Sequence, residues 1–151
     1  MQLWFAMRYV HVASIALLAG GALLLMTCAA RASAVPEMRT FLSVAVAYEW
    51  IFWAAAGVTV ASGVGNLGLK GDGLLGAKTG WGTALSFKLV LILTLLALSL
   101  VRSEVVVRFR QFSQSRHPVR TTFPLAVLYG LTTATIFVAA WIGLGLGHGR
   151  Y

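Results

Sequence analysis

Apolar side chains fill four long runs of this chain, and short polar segments separate the runs. The runs cover about residues 3–30, 41–67, 81–107 and 122–147. Each is long enough to cross a bilayer as a helix, which takes about 20 residues. Runs this long and this uniformly apolar do not suit barrel strands, and only helices satisfy their own backbone hydrogen bonds in lipid. The pattern predicts an all-α membrane protein, a four-transmembrane-helix bundle in which residues 1–151 form one domain.

Composition and charge favour the lipid bilayer over nucleic acid as the partner of this chain. The chain is 59% hydrophobic and 11% charged, and its net charge is +8. In a soluble protein such a charge would favour nucleic acid. Here most basic residues flank the spans, as membrane topology requires, so we expect the lipid bilayer as partner and no nucleic acid. Cys28 is the only cysteine, which excludes an internal disulfide and a cysteine metal cluster.

Basic residues near the span ends predict the orientation. Loops one and three, with the adjoining span ends, carry seven: Arg31, Arg39, Arg102, Arg108, Arg110, Arg116 and Arg120. The opposite side carries four: Arg8, Lys70, Lys78 and Arg150. The positive-inside rule therefore predicts a multi-pass protein of the bacterial inner membrane with both termini on the outer, periplasmic face.

The first span also resembles a secretory signal, because Ala32-Ser33-Ala34 fits a signal-peptidase site. Its apolar part runs for about 19 residues from Val12, whereas a signal's apolar region usually has about 7–15. Cleavage would also leave the basic third loop outside, against the charge rule. We therefore expect the first span to be retained.

Two ionisable side chains lie inside the spans at the same expected depth. His11 is about eight residues from the outer end of the first span, and Lys88 is seven residues into the third. A rise of about 1.5 Å per residue puts both roughly 10–12 Å below the outer surface. An ionisable group in lipid is costly and is a functional candidate by default. His11 and Lys88 therefore define the first candidate site.

A haem site is the first interpretation of this layer. Neutral imidazole is a good axial ligand, so His11 would be one ligand and His148, at the outer end of the fourth span, the other. Lys88 would pair with a propionate or be an unusual second ligand. Apart from Asp72 in the outer loop, no acidic residue lies at the depth of Lys88. That missing anion is the argument for an anionic cofactor, namely haem b.

Two other interpretations stay open. Met7 precedes His11 by four residues and shares its helix face. With His148 these residues offer a thioether and two imidazoles, a set that suits Cu(I). Alternatively, the Lys88 side chain extends towards the interface, and His11 hydrogen-bonds a carbonyl or a serine of a neighbouring helix.

Glu49 is a further intramembrane charge. It lies about 12 Å from the inner surface, and Tyr129 of the fourth span lies at a similar depth. We expect a protonated Glu49 that hydrogen-bonds Tyr129 or Thr132, or one that carries protons. A salt bridge with Lys88 is not expected, because the two residues lie near opposite faces.

Two segments resemble a known group of small bacterial membrane proteins. The first is Arg8-Tyr-Val-His11-Val-Ala-Ser-Ile-Ala-Leu-Leu-Ala-Gly-Gly21, and the second is Phe87-Lys88-Leu-Val-Leu-Ile-Leu93. They are similar to the first and third helices of the copper resistance protein D (CopD)-like domain and of the HemJ-type protoporphyrinogen oxidases. The HemJ-type resemblance implies haem binding and oxidoreductase activity that depend on His11 and Lys88. The CopD-like resemblance implies copper transfer across the inner membrane.

A glycine pattern in the fourth span favours close helix packing. Gly143-Leu-Gly-Leu-Gly147 matches the GxxxG motif, in which small residues let two helices approach. The contact lies within the chain or between chains. A third hypothesis follows, in which the protein is a structural subunit of a homo-oligomer or of a larger membrane complex.

Overall fold

The computed structural model describes residues 2–32, 35–68, 79–114 and 122–147, which form four α-helices. Helix α1 spans Gln2–Arg31, α2 spans Val35–Gly68, α3 spans Gly80–Gln114 and α4 spans Phe123–Gly147. All four are long and apolar enough to cross a membrane, and the described ranges contain no strand. The predicted all-α bundle of four membrane-spanning helices is confirmed.

The helices form an antiparallel bundle in which each packs against two others. Helix α1 contacts α2 and α4, and α3 contacts the same two helices. Helices α1 and α3 therefore lie on one diagonal of the bundle and α2 and α4 on the other. Because the helix number is even, the start of α1 and the end of α4 lie at the same end. The side of the membrane that this end faces stays a prediction.

Helices α2 and α3 extend well beyond their apolar runs, each at one polar end. Helix α2 begins at Val35, where Pro36 and Glu37 are residue types that favour a first helical turn. Helix α3 continues to Gln114, past the predicted end at residue 107. Arg108 and Glu104 pair there, one turn apart, at 2.7 Å. Hydropathy marks the part of a helix that suits lipid, so it underestimates helices that continue into the interface.

Small residues bring α1 close to α2. The buried positions of α1 include Ser14, Leu18 and Ala22, spaced by one turn, so they lie on one face. Facing them, Tyr48 of α2 donates a hydrogen bond to the Leu18 carbonyl at 2.6 Å. The Tyr48 ring occupies the space where a Cβ of Gly21 would be. This close approach is the role of the second glycine in the Gly20-Gly21 pair.

The charge pattern misplaces one arginine. It assigns Arg102 to the membrane interface, whereas the structure buries this side chain completely inside the bundle. The reason is that Glu49 of α2 neutralises it at 2.9 Å. Without Arg102, six basic residues on one side still exceed four on the other, so the predicted orientation keeps its sign with a smaller margin.

Candidate functional site

His11 of α1 is held against α2 through one ring nitrogen. Its Nδ1 lies 2.9 Å from the Thr59 carbonyl oxygen and 3.0 Å from Ser62 Oγ. A carbonyl only accepts hydrogen bonds, so this geometry assigns the imidazole hydrogen to Nδ1. Ser62 donates its own hydrogen to the Val58 carbonyl at 2.7 Å and is therefore free to accept from His11. In the neutral ring, Nε2 then keeps its lone pair.

Two glycines of α2 leave room for the side chains of His11 and Met7. A Cβ on Gly63 would lie 3.2 Å from His11 Cε1, so a side chain there would displace the imidazole. The Met7 methyl group fills the position of a Cβ on Gly65. Met7 lies one turn before His11, and both side chains face α2. The structure therefore brings the thioether and the imidazole to the same interface.

Lys88 of α3 reaches across to α4 in the same layer. Its Nζ lies 2.7 Å from the position that a Cβ of Gly143 would occupy. No hydrogen bond or ion pair joins Nζ to another described residue. The side chain is half-buried, so it is a cation inside the bundle without a described counter-charge.

The Lys88 contact also accounts for part of the glycine pattern in α4. Gly143 faces Lys88 within the chain and is therefore used for internal packing. Assembly into a homo-oligomer or a larger complex stays a prediction.

Asn66 adds a polar group to this end of the bundle. It lies one turn beyond Ser62 on the same face of α2. Its Oδ1 is buried and has no hydrogen-bond partner among the described residues. A buried polar atom without a partner costs about 1–3 kcal/mol, so a ligand that donates a hydrogen bond would stabilise it. Hydropathy gives no signal for this residue, because it lies near the end of the span.

Arg102 and Glu49 form a second polar centre nearer the other end of the bundle. Arg102 donates from Nε to Glu49 Oε1 at 2.9 Å and from Nη2 to Oε2 at 3.0 Å. Tyr129 and Ser103 donate to the same carboxylate at 2.8 and 2.6 Å. Thr132 accepts from Arg102 Nη1 at 2.8 Å. We call these five residues the Glu49–Arg102 cluster.

The cluster corrects the expectation of an isolated, protonated Glu49. A guanidinium that donates two parallel hydrogen bonds binds a carboxylate, so Glu49 is an ionised group with a partner. The hydrogen bond from Tyr129 is present, but Thr132 binds Arg102 instead of Glu49. The ion pair neutralises the two charges, and the hydrogen bonds satisfy their polar atoms. The geometry of the cluster therefore suits a structural role, in which it holds α2, α3 and α4 together. Proton transfer by Glu49 stays a prediction.

Aromatic rings enclose the cluster. The Arg102 guanidinium carbon lies 4.2 Å from the Phe52 ring centroid and 5.0 Å from that of Tyr129. Trp53 Nε1 donates to Ser103 Oγ at 3.1 Å. These contacts join α2, α3 and α4 in one layer around two buried charges.

His148, predicted as a second ligand, lies outside the described residues. Within them, no group of three or more histidine, cysteine, aspartate or glutamate side chains converges as a metal site. Any metal held in the His11 layer would therefore depend on His11 together with ligands of other types, such as Met7 or Lys88. Comparisons with known proteins add no assignment: no family model, no curated protein and no solved structure matches this chain.

Proposed function

We propose that this integral membrane protein binds haem b in the His11 layer and takes part in electron transfer. The observation that carries the proposal is the contact of His11 Nδ1 with the Thr59 carbonyl. Histidines that ligate metals commonly donate their other ring N–H to a backbone carbonyl, which fixes the ring and raises its basicity. The Nδ1 contact has this form, so Nε2 would be the atom of His11 that holds the haem iron.

Lys88 supports an anionic cofactor. A half-buried ammonium group in a membrane helix needs a counter-charge or must lose its proton. A haem propionate would supply that charge beside His11. Alternatively, a neutral Lys88 amine would be a second ligand to the haem iron. The donor set of this layer therefore fits haem, and the CopD-like and HemJ-like resemblance of the first and third helices agrees with the same two residues.

The test is the absorption spectrum of protein purified in mild detergent from haem-replete cells. We expect a Soret band that His11→Ala abolishes and that Lys88→Met weakens or shifts. His117→Ala is the matched control, because His117 lies in the predicted basic loop and its loss should leave the spectrum unchanged. A colourless wild-type preparation, or a Soret band that survives His11→Ala, would overturn the proposal.

Copper handling is the second candidate, and the position of Met7 favours it. The Met7 thioether lies one turn from His11 on the same interface, and soft ligands of this kind select Cu(I). Metal analysis of protein from copper-supplemented cells separates the candidates. Bound copper that is lost in both Met7→Leu and His11→Ala supports copper handling, whereas copper retained in both variants excludes this site.

A further inference from the structure

An apolar groove lies on the surface of the bundle, far from the His11 layer. The groove runs between α1 and α4, at the end of the bundle where α1 ends and α4 begins. Its volume is about 520 Å³ and its lining is almost entirely apolar. Met26 and Gly130 line its deeper part, while Val127, Leu131 and Phe123 are exposed along its rim. The groove is therefore open to the surrounding lipid.

A glycine forms part of the groove. Gly130 of α4 presents no side chain, and a Cβ there would lie 3.1 Å from Met26 Sδ. A larger residue at 130 would have to displace the Met26 side chain. Gly130 therefore lets Met26 pack directly against the α4 backbone in the deeper part of the groove.

Arg31, the last residue of α1, supplies a charge at the edge of this apolar surface. It is among the lining residues, which include no acidic side chain, and it is exposed. No described carboxylate lies within ion-pair distance of it. The groove thus combines an apolar slot with one available guanidinium at the end of a membrane-spanning helix.

We propose that this groove binds one anionic phospholipid, with an acyl chain along the apolar lining and the headgroup phosphate on Arg31. Guanidinium groups bind phosphate through two parallel hydrogen bonds, and basic pockets between membrane helices bind anionic lipid headgroups. A second copy of this chain fits less well, because it would bring another net charge of +8 towards Arg31. The headgroup expected on Arg31 carries a phosphate and no ammonium group, because an ammonium group would compete with Arg31 for the phosphate.

Native mass spectrometry of the full chain, released from micelles with equimolar phosphatidylglycerol and phosphatidylcholine, tests the proposal. We expect one retained lipid, mainly phosphatidylglycerol. Arg31→Gln should lower the preference for phosphatidylglycerol roughly fivefold, the effect of one basic residue near a membrane surface. Arg39→Gln is the matched control, since Arg39 is exposed at the same end on α2 and does not line the groove.

A second variant tests the apolar part. Val127→Trp places a large ring on the exposed rim, so the helix packing is kept while the groove is filled. It should lose the retained lipid of either kind and keep the wild-type melting temperature in lipid-free detergent. Equal retention of both lipids by the wild type overturns the proposal. So does a preference that Arg31→Gln leaves unchanged, or a dimer in place of the lipid adduct.

Discussion

Arg102 and Glu49 meet in a bidentate ion pair inside the bundle, 53 residues apart in sequence. The Arg102 side chain is fully buried, and Glu49 is 7% exposed. Through Tyr129 and Thr132 the same charges bind α4. This pair therefore joins three helices through hydrogen bonds of defined direction, and the Trp53–Ser103 hydrogen bond adds a further such contact between α2 and α3. In lipid, where apolar burial gives no preference for protein over solvent, such polar contacts and close packing have to specify the arrangement.

Removing one partner of this pair should destabilise the protein strongly. Arg102→Met leaves the Glu49 carboxylate buried without a counter-charge, and breaking a buried pair in this way costs about 3–5 kcal/mol. The double variant Arg102→Met with Glu49→Met should recover most of the loss, because no charge then remains. Unfolding by SDS in mixed micelles measures these differences.

The exposed pair on the same helix is the control for this experiment. Arg108 and Glu104 are 66% and 60% exposed at their side chains, so Arg108→Met should change stability by less than about 0.5 kcal/mol. Equal effects of Arg102→Met and Arg108→Met would contradict a structural role for the buried pair.

The two neighbouring glycines of α1 should differ sharply in their tolerance of alanine. A Cβ on Gly21 would overlap the Tyr48 ring, whereas a Cβ on Gly20 has no neighbour within 4 Å. Gly21→Ala should therefore displace the ring, weaken its hydrogen bond to Leu18 and cost about 1–3 kcal/mol. Gly20→Ala should be neutral or stabilising by up to about 1 kcal/mol, because alanine favours the helix.

Tyr48→Leu in the Gly21→Ala background completes that test. Removing the ring relieves the overlap, so the Gly21→Ala substitution should cost less in this background than in the wild type. The same SDS titration gives all four values. An additive result would place the effect of Gly21 elsewhere.

Helix number and membrane character follow from the sequence because they depend on the length of apolar runs. The sequence does not show which side of each helix faces the bundle interior, since the lipid-exposed and the buried sides of these helices are both apolar. Trp50 and Phe52, two residues apart, are 78% and 0% exposed, although both are aromatic residues of the same apolar run. Counting depth along each span places His11 and Lys88 in one layer. In the structure His11 packs against α2 and Lys88 against α4, near the same end of the bundle.

Counting basic residues near the span ends fails for Arg102. That count says nothing about rotation around the helix axis, and the rotation of α3 directs Arg102 towards Glu49. A signal was nevertheless present: a carboxylate and a guanidinium both fell within apolar runs, and each is too costly in lipid to remain alone. Pairing the opposite intramembrane charges before assigning either to the interface would have identified the cluster.

Gly63 should control the orientation of the His11 imidazole. A Cβ there would lie 3.2 Å from His11 Cε1, which is close enough to move the ring and lengthen its Nδ1 contact with Thr59. If His11 binds haem as proposed, Gly63→Ala should shift the Soret band or lower the haem content several-fold. Gly57→Ala, on the same helix with nothing within 4 Å of its Cβ, should leave both unchanged. Identical spectra for the two variants would count against a positioning role of Gly63.

Lys88 should have opposite effects on the two forms of the protein. It should destabilise the cofactor-free protein and favour cofactor binding. Its ammonium group has no described counter-charge, and a charged residue at the centre of a membrane helix costs about 2.5–3.5 kcal/mol on insertion scales. Lys88 is half-buried and lies away from the centre, so Lys88→Met should stabilise the cofactor-free protein by about 1 kcal/mol while lowering its haem content. Arg8→Met is the control, because that exposed cation stacks 4.4 Å from the Trp4 ring centroid and its loss should raise neither stability nor haem content. Stability in SDS and haem content per chain, measured on the same preparations, decide the outcome. If Lys88→Met destabilises the cofactor-free protein, then Lys88 has a structural partner within the bundle and the argument for an anionic ligand fails.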